Sequence, residues 1–571
     1  MREYVADFET LACDKEKTHV HTWGVMNQKT KKKEYGNSIA QFIAWCNKKS
    51  TEEKTIVWFH NLKFDGIFCL DYIERYLNMK YNANNKNFSY SALIDGMGNF
   101  YSIEITFKRY KSKRESVVIY DSAKRIPNMS VEDMAKKYQL PIRKGNYDYM
   151  MYRPEGHIMT EEEKEYLDND LEIVGAVLDI QKEMGIEGMT IGSSALEIYK
   201  NMVGKEKFKR NFPVLEKRID DFIRNSYNGG FTYVNKKIKG KVIGEGFTLD
   251  VNSLYPYVMS DMPLPYGMPI YYKGRHPNHK DYPLYVQQLK ICATLKKNHI
   301  PTVQLDMPYS LKRMKMPEYA EIIDHETITV TNVDLEMIVA HYDITLIEYI
   351  DGYMFKSSTN LFKQYVDHWT KVKIKASEEG NIGYYQTSKL LLNSLYGKFG
   401  SKMERINKIP VLSSLKDCMS YNEIDCETVK PPIYTAIASF VTAYGRMITI
   451  SASQTCYDRH LYSDTDSLHL SGTHYPEGIP IHKTDLGKWK DEGSFQKAKY
   501  IRQKSYIQES SVNHPWFGTM KKYKVACSGM KDEIKKQVTF SNFYVGSKFD
   551  GARKKKVVKG GVVLIDSPFT V

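Results

Sequence analysis

Hydrophobic positions in this chain change period several times, and each change marks an element. Tyr4-Val5-Ala6-Asp7-Phe8-Glu9-Thr10 alternates as a strand does, and residues 55–59 form an apolar block of strand length. Helical spacing runs over 67–76 and again from about Thr160 through an acidic stretch. Near residue 190 the pattern turns to helices, 191–202 and 216–226, so a domain boundary is expected there. Strands follow at 231–234 and 246–251, then helices over 369–375 and 389–397, and an apolar run over 461–470.

Acids interrupt these patterns where a core-facing residue is expected. Alternation puts Asp7 and Glu9 on one face of the first strand. Asp65 follows His60-Asn61-Leu62-Lys63-Phe64 at the start of a helix, where its ordinary role is an N-cap. Tyr166 and Asp170 share a helix face. Four carboxylates can hold two magnesium-type ions, one activating water and one stabilising the leaving oxygen of a phosphodiester, with the tyrosine orienting the water.

A second set is built on Tyr462-Ser463-Asp464-Thr465-Asp466-Ser467. Two acids one residue apart repel unless a positive charge lies between them, and oxygen-only ligands favour magnesium or manganese over zinc. The plain alternative is a solvated hairpin turn. Asp250 ends the strand 246–251, with Val251 beside it as a further candidate ligand, and a helix cap is its plain alternative. Together Asp250, Asp464 and Asp466 suffice to place two magnesium ions against a triphosphate and a primer hydroxyl.

Other side chains fit the same chemistry. Lys389, Asn393 and Tyr396 form one helical stripe beside an apolar face, suited to phosphate and base contacts, with Lys373 as a second phosphate candidate. Tyr255 is a candidate to close over the sugar and reject a ribose 2′-hydroxyl. Candidate strand contacts are His60, Asn61, Phe64, Ser122, Lys144 and Tyr149, then Tyr227, Gly229 and Gly230, and further on Thr442, Arg446, Lys504 and Tyr506. Ordinary loops or solvated faces are the alternatives for several of these.

Composition narrows the class. At 571 residues three or four domains are expected, and 82 Lys and Arg against 68 Asp and Glu give a net charge of +14, which suits a polyanionic partner. The 43 tyrosines and 23 phenylalanines supply stacking faces. Eight scattered cysteines without a C-x-x-C pair argue against a zinc ribbon or disulfide framework. With no signal peptide and no apolar run of membrane length, the expectation is a soluble intracellular protein.

The ordered patterns Asp-x-Glu, Asn-x-x-x-Asp and Tyr-x-x-x-Asp resemble the motifs of DEDDy-type 3′–5′ proofreading exonucleases. Asp250-Val251-Asn252-Ser253-Leu254-Tyr255-Pro256, the 389–397 helix and the 462–467 run resemble motifs A, B and C of family B DNA polymerases. With Tyr227-x-Gly-Gly and Lys504-x-Tyr506, nearly the whole chain is similar to the protein-primed DNA polymerases of small tailed bacteriophages, the phi-twenty-nine type. The resemblance implies an α/β and α+β multidomain fold: a ribonuclease H-like 3′–5′ exonuclease domain (1–190), then a right-hand polymerase with two insertions. Its parts are expected as palm (191–261), a first insertion contacting the terminal protein (262–360), fingers (361–399), a second insertion (400–430), palm again (431–505) and thumb (506–571).

By the same resemblance the activity is protein-primed, strand-displacing and proofreading DNA synthesis with two Mg2+ ions, or Mn2+, at each site. Its partners are primer-template DNA, single-stranded DNA, dNTPs and a terminal protein, with no membrane, as a monomer or a heterodimer with that protein in the cytoplasm of an infected bacterium. The chain departs from the family pattern at Ala123 and at Asn146, where Asp148 is the substitute candidate. An inert nucleic-acid-binding scaffold is disfavoured by the seven acids, and a stand-alone nuclease by the Lys389 helix.

Overall fold

The computed structural model describes residues 2–111, 113–305, 318–401, 405–426, 433–514 and 518–571. Parts of both expected insertions (306–317, 402–404 and 427–430) therefore lie outside the described residues, as do 112, 431–432 and 515–517 of the neighbouring units.

The amino-terminal third is an eight-stranded sheet. Strand Arg2–Thr10 lies between Val20–Asn27, which is antiparallel to it, and Thr55–Phe59, which is parallel; Arg114–Asp121 continues parallel beyond that. The alternation divides the first strand cleanly. Tyr4, Ala6 and Phe8 enter one core with Phe42 and Phe59, while Val5 packs on the other face under Leu167, Leu171 and Val174 of helix Glu161–Glu183. Asp7 and Glu9 share the face of Val5, beneath that helix. A capping box from Thr160 to Glu163 starts the helix in register, so that Asp170 comes two turns later.

A five-stranded sheet forms the centre of the next unit. Gly246–Val251 pairs antiparallel with Ser467–Ser471, which pairs with His460–Asp464, and Thr232–Val234 closes that edge. The buried helix Thr435–Thr455 lies behind it, and helices Lys363–Glu378 and Ile382–Phe399 form an adjoining pair. Between them in sequence, Leu264–Lys273, Leu284–Leu295, Ile322–Thr331 and Tyr342–Ser358 make a separate four-stranded sheet. This sheet falls within the expected first insertion.

The expected start of the thumb at 506 needs correction. Ser505–His514 is hydrogen-bonded to Lys497–Arg502 in one sheet that also takes Val242–Ile243, so a boundary at 505/506 would cut between paired strands. Hydrogen-bonded pairing is invisible to a motif-based division. The helix expected over 216–226 is shorter, Lys217–Arg224. Among the described residues no helix is long and apolar enough to cross a membrane.

The hairpin Arg405–Ser413/Cys418–Cys426 docks far back on the first unit. Glu74, 5 % exposed on helix Asp65–Arg75, accepts from the Tyr90 hydroxyl and from Leu412 N at 2.9 Å. Arg75 pairs with Asp417, which also takes Lys559 at 2.7 Å from the carboxy-terminal hairpin Lys548–Val558/Gly561–Thr570. Replacing Glu74 by Ala leaves the Leu412 N–H without its acceptor, at a cost of about 1–3 kcal/mol. Hydrogen exchange at the Leu412 amide is expected to speed up accordingly, and unchanged protection would show that Glu74 does not hold the hairpin.

Candidate active sites

The first acidic pocket lies where the first strand meets helix Glu161–Glu183. Asp7, Glu9, Asp65 and Asp170 all line one cavity of about 450 Å³, with Lys144 and Tyr149. Asp65 opens its helix but caps nothing: Phe64 holds the N-cap position without a side-chain bond, and Asp65 is 4 % exposed. Burial raises all four above the usual carboxylate range, and neighbouring acids push Asp7, Glu9 and Asp65 further. Asp7 is pushed up to about 7 by burial and then Asp170, and Glu9 well up by burial and then Asp7. Asp65 and Asp170 are raised by burial as well.

Lys144 is ion-paired among them. Lys144 Nζ is 2.5 Å from Asp170 Oδ2 and 4.9 Å from the Tyr166 ring centre. The other oxygen of Asp170, Oδ1, is buried without a partner.

Several strand-contact candidates are spent inside this structure. His60 donates Nε2–H to Met129 O at 2.8 Å, so Nδ1 accepts from Ser122 Oγ at 2.9 Å; burial lowers its pKa and keeps the ring neutral. Ser122 is fully buried and orients His60 instead of facing a strand. Asn61 lies on the cavity wall with φ +71°, its N–H given to Asp121 at 2.9 Å. Phe64 also lines the wall. Tyr166 is 3 % exposed with its hydroxyl 2.5 Å from that of Tyr149, so it meets the pocket through Tyr149, which is 44 % exposed. The loop carrying Tyr149 covers the Tyr166 hydroxyl. Asp148 is exposed, its Oδ1 accepting from Met150 N at 2.9 Å, and like Asn146 does not line the cavity.

The second acidic site is set by sheet register. Asp250 lies opposite Ser467, and Val251 N donates to Asp466 O at 2.8 Å, so the strand end meets the hairpin turn directly. The turn reading and the chemical reading of 464–467 therefore coincide: Thr465 takes φ +62° at the tip between the two acids. Asp464 is richly bonded, accepting from Thr232 (3.0 Å), Tyr462 (3.2 Å) and Lys504 Nζ (2.7 Å). Asp250, by contrast, is pushed up to about 7 by burial and then by Asp466, and burial raises Asp466 too.

A cavity of about 550 Å³ joins Asp250, Val251 and Asp466 to Tyr255, Lys373, Lys389, Asn393 and Tyr396. The Tyr255 and Tyr396 rings lie 4.3 Å apart, centre to centre, tilted by 40°, and Lys373 donates to Ser253 Oγ at 3.2 Å. Lys490 and Glu492, on the strand opposite Asp250, line it as well. No motif spacing points to that pair; only strand pairing does.

The glycine pair bears on the turn at Thr465. A Cβ on Gly230 would lie 2.7 Å from Thr465 Oγ1, and Thr465 N donates to Phe231 O at 2.7 Å. Gly229 stays exposed, while Tyr227 packs against Gly400. Arg446 is turned inward, against expectation. It forms a bidentate pair with Asp334 at 2.8 Å and donates to the carbonyls of Asn228 and Gly229. Thr442 is 1 % exposed and gives its hydroxyl to Ala438 O, so neither side chain faces a strand; both lie on the inner face of a helix buried nearly all round. Tyr506 is buried beside Tyr462 and Tyr500.

Both donor sets are oxygen-rich, buried and mutually repelling, which fits hard divalent cations. Among the described residues neither set brings three ligand atoms all within 4.8 Å of one another.

A sheet bearing three convergent acids beside a lysine-striped helix, behind a domain with four buried acids, is the arrangement of a polymerase with an exonuclease domain. The chain belongs to the family described as DNA polymerase type B, organellar and viral, whose sequence model matches residues 46–483, and it is a DNA polymerase. Among its relatives, the DNA polymerase of Bacillus phage M2 is 44 % identical over 94 % of this chain and 93 % of its own length. That of Bacillus phage phi29 is 41 % identical over 100 % and 98 %. The solved structure of phi29 DNA polymerase with primer-template DNA superposes with a TM-score of 0.92 at 39 % identity, covering 100 % of this chain and 99 % of that one. The multidomain α/β architecture is the expected one.

Linkage gives a test of both acidic sets. The unfolded chain releases carboxyl protons near pH 4, whereas folded Asp7 and Asp250 keep theirs to about 7. Folding binds extra protons in that window, so these groups lose stability as pH rises through it. A divalent cation offsets the exposed repulsion, so the rise in melting temperature on adding millimolar cation is expected to be larger near about pH 8 than near about pH 5. Equal rises at both would count against cation binding by these acids.

Proposed function

We propose that this polymerase starts from the hydroxyl of a terminal protein, displaces the non-template strand as it advances, and edits its product from a separate 3′–5′ exonuclease site. The observation that carries this is the pair of buried acid clusters, on two sheets, each with one lysine ammonium on one of its carboxylates. Solved relatives support the partners: phi29 DNA polymerase has been seen with single-stranded DNA and with primer-template DNA and incoming nucleotides. Primer-template DNA, single strands and dNTPs are accordingly the ligands assigned to this chain. The sheet spanning 264–358 and the docked hairpin 405–426 support the two insertions that the reading needs for the terminal protein and for strand displacement. The enzyme then acts as a monomer or beside its terminal protein, in the cytoplasm of an infected bacterium.

Asp250, the Val251 carbonyl, Asp464 and Asp466 would hold two Mg2+ ions, or Mn2+, at the synthetic site, and Asp7, Glu9, Asp65 and Asp170 two at the editing site. When bound, the ions supply Lewis-acid stabilisation of phosphoryl charge. The chain's own side chains do the rest. Lys389 and Lys373 face the cavity as cations for the triphosphate, and Asn393 and Tyr396 line the same wall for the nascent pair. Tyr255, packed against the tilted Tyr396 ring and against Gly445, bounds the space for the sugar. Lys504 and Tyr506 serve the primer end. At the editing site Lys144 and Tyr149 serve the strand terminus, with His60 and Tyr166 holding their positions.

Asp466→Ala is expected to abolish nucleotide incorporation and spare degradation of single strands, and the Asp7→Ala/Glu9→Ala double variant to do the reverse. Joint loss of both activities in either variant would refute two separate sites. Tyr255→Val is expected to raise ribonucleotide incorporation by at least about tenfold, as loss of a steric gate does. Unchanged sugar discrimination in a competition assay would remove that role.

A further inference from the structure

We propose that Lys555, on the carboxy-terminal hairpin, is a further strand-binding residue of the first acidic pocket, placed to take a phosphate of the single-stranded terminus under degradation. This rests on the exonuclease reading of that pocket.

The hairpin is seated there closely. Val558 pairs with Gly561 across the turn, and Thr18 N donates to Lys559 O at 3.0 Å. A Cβ on Gly560 would fall 2.1 Å from Thr18 O and one on Gly561 2.2 Å from the Phe68 ring, so only glycine lets the tip approach. Val562, 1 % exposed, and Val557 join the hydrophobic core of the exonuclease domain. Arg553, Val563 and Leu564 line the acidic cavity itself.

Strand alternation puts Lys555 on the face of Val557, toward that domain. Its Nζ donates to Asn61 Oδ1 at 3.0 Å and lies 5.7 Å from the centre of the Phe64 ring, two residues of the cavity wall. The carboxyl groups of Asp65 and Asp121 and the ammonium groups of Lys63 and Lys124 are the titratable groups facing it. Among the described residues its partner is a neutral amide and no carboxylate pairs with it. An ammonium held over an aromatic ring beside an acid-floored pocket, and lacking a counter-ion, suits a backbone phosphate whose base stacks nearby. Phosphate would draw Nζ from the amide without breaking an ion pair.

The test measures degradation of a single-stranded oligonucleotide by the full-length enzyme across a salt series. For single strands each phosphate contact adds about 0.7 to the slope of log affinity against log salt. Lys555→Met is expected to raise KM by about tenfold at low salt and to flatten the slope by about 0.7, with Lys555→Arg restoring both. Lys556→Met removes a charge from the opposite face of the same strand, where its ammonium bonds Lys15 O and Glu16, and is expected to keep the wild-type slope.

An unchanged slope in Lys555→Met would overturn the proposal. So would equal losses in both Met variants, or a loss that follows a lowered melting temperature and is not rescued by Arg. If wild-type enzyme leaves single strands intact, the exonuclease reading fails first, before any variant is compared, and this proposal goes with it.

Discussion

Repulsion between carboxylates governs the design of this molecule. Each acidic set gathers groups that would separate in water, and the surrounding fold must hold them together at an electrostatic cost that rises as the medium becomes less polar. At both places an ammonium offsets part of it: Lys144 on Asp170 and Lys504 on Asp464. Lys144 also lowers Asp7 and Glu9, and Lys504 Asp466, yet all of these acids stay raised, so a residual demand for positive charge is built into each pocket. In the second set hydrogen bonds fix Asp464 in place, while Asp250 stays raised by burial and by Asp466 despite Lys490 and Lys389.

The same helix serves two tasks. Asp65 at its start lines the first acidic pocket, and Glu74 and Arg75 at its end hold the 405–426 hairpin and, through Asp417, the carboxy-terminal hairpin. A rod of 11 residues thus ties the placement of one acid to the closure of segments more than three hundred residues away. Displacing either hairpin loads the helix, and rigid helices pass such loads along their axis.

Much of this was legible in residue order. Period-two alternation put Asp7 and Glu9 on a shared face, and the structure sets that face under the helix carrying Asp170. Helical spacing put Lys389, Asn393 and Tyr396 on one stripe, and all three line one cavity. Less legible were the partners of hydroxyl and guanidinium groups: Ser122, Thr442 and Arg446 each bond within the protein, because a local pattern does not say which partner packs against it. Lys490, Glu492 and Lys555 gave no signal at all, since their neighbours arrive by strand pairing or by docking of a distant hairpin.

Four non-glycine residues with left-handed backbone sit at these pockets: Asn61, Ser253, Thr465 and Lys504. For side chains with a Cβ that conformation is uphill, typically by about 1–3 kcal/mol each for functional strain of this kind. Directed selection for heat tolerance alone would accordingly favour glycine or asparagine at Ser253, Thr465 and Lys504. Such winners would exchange a sharply held geometry for slack, so robustness and turnover in this enzyme pull on the same few peptide units in opposite directions.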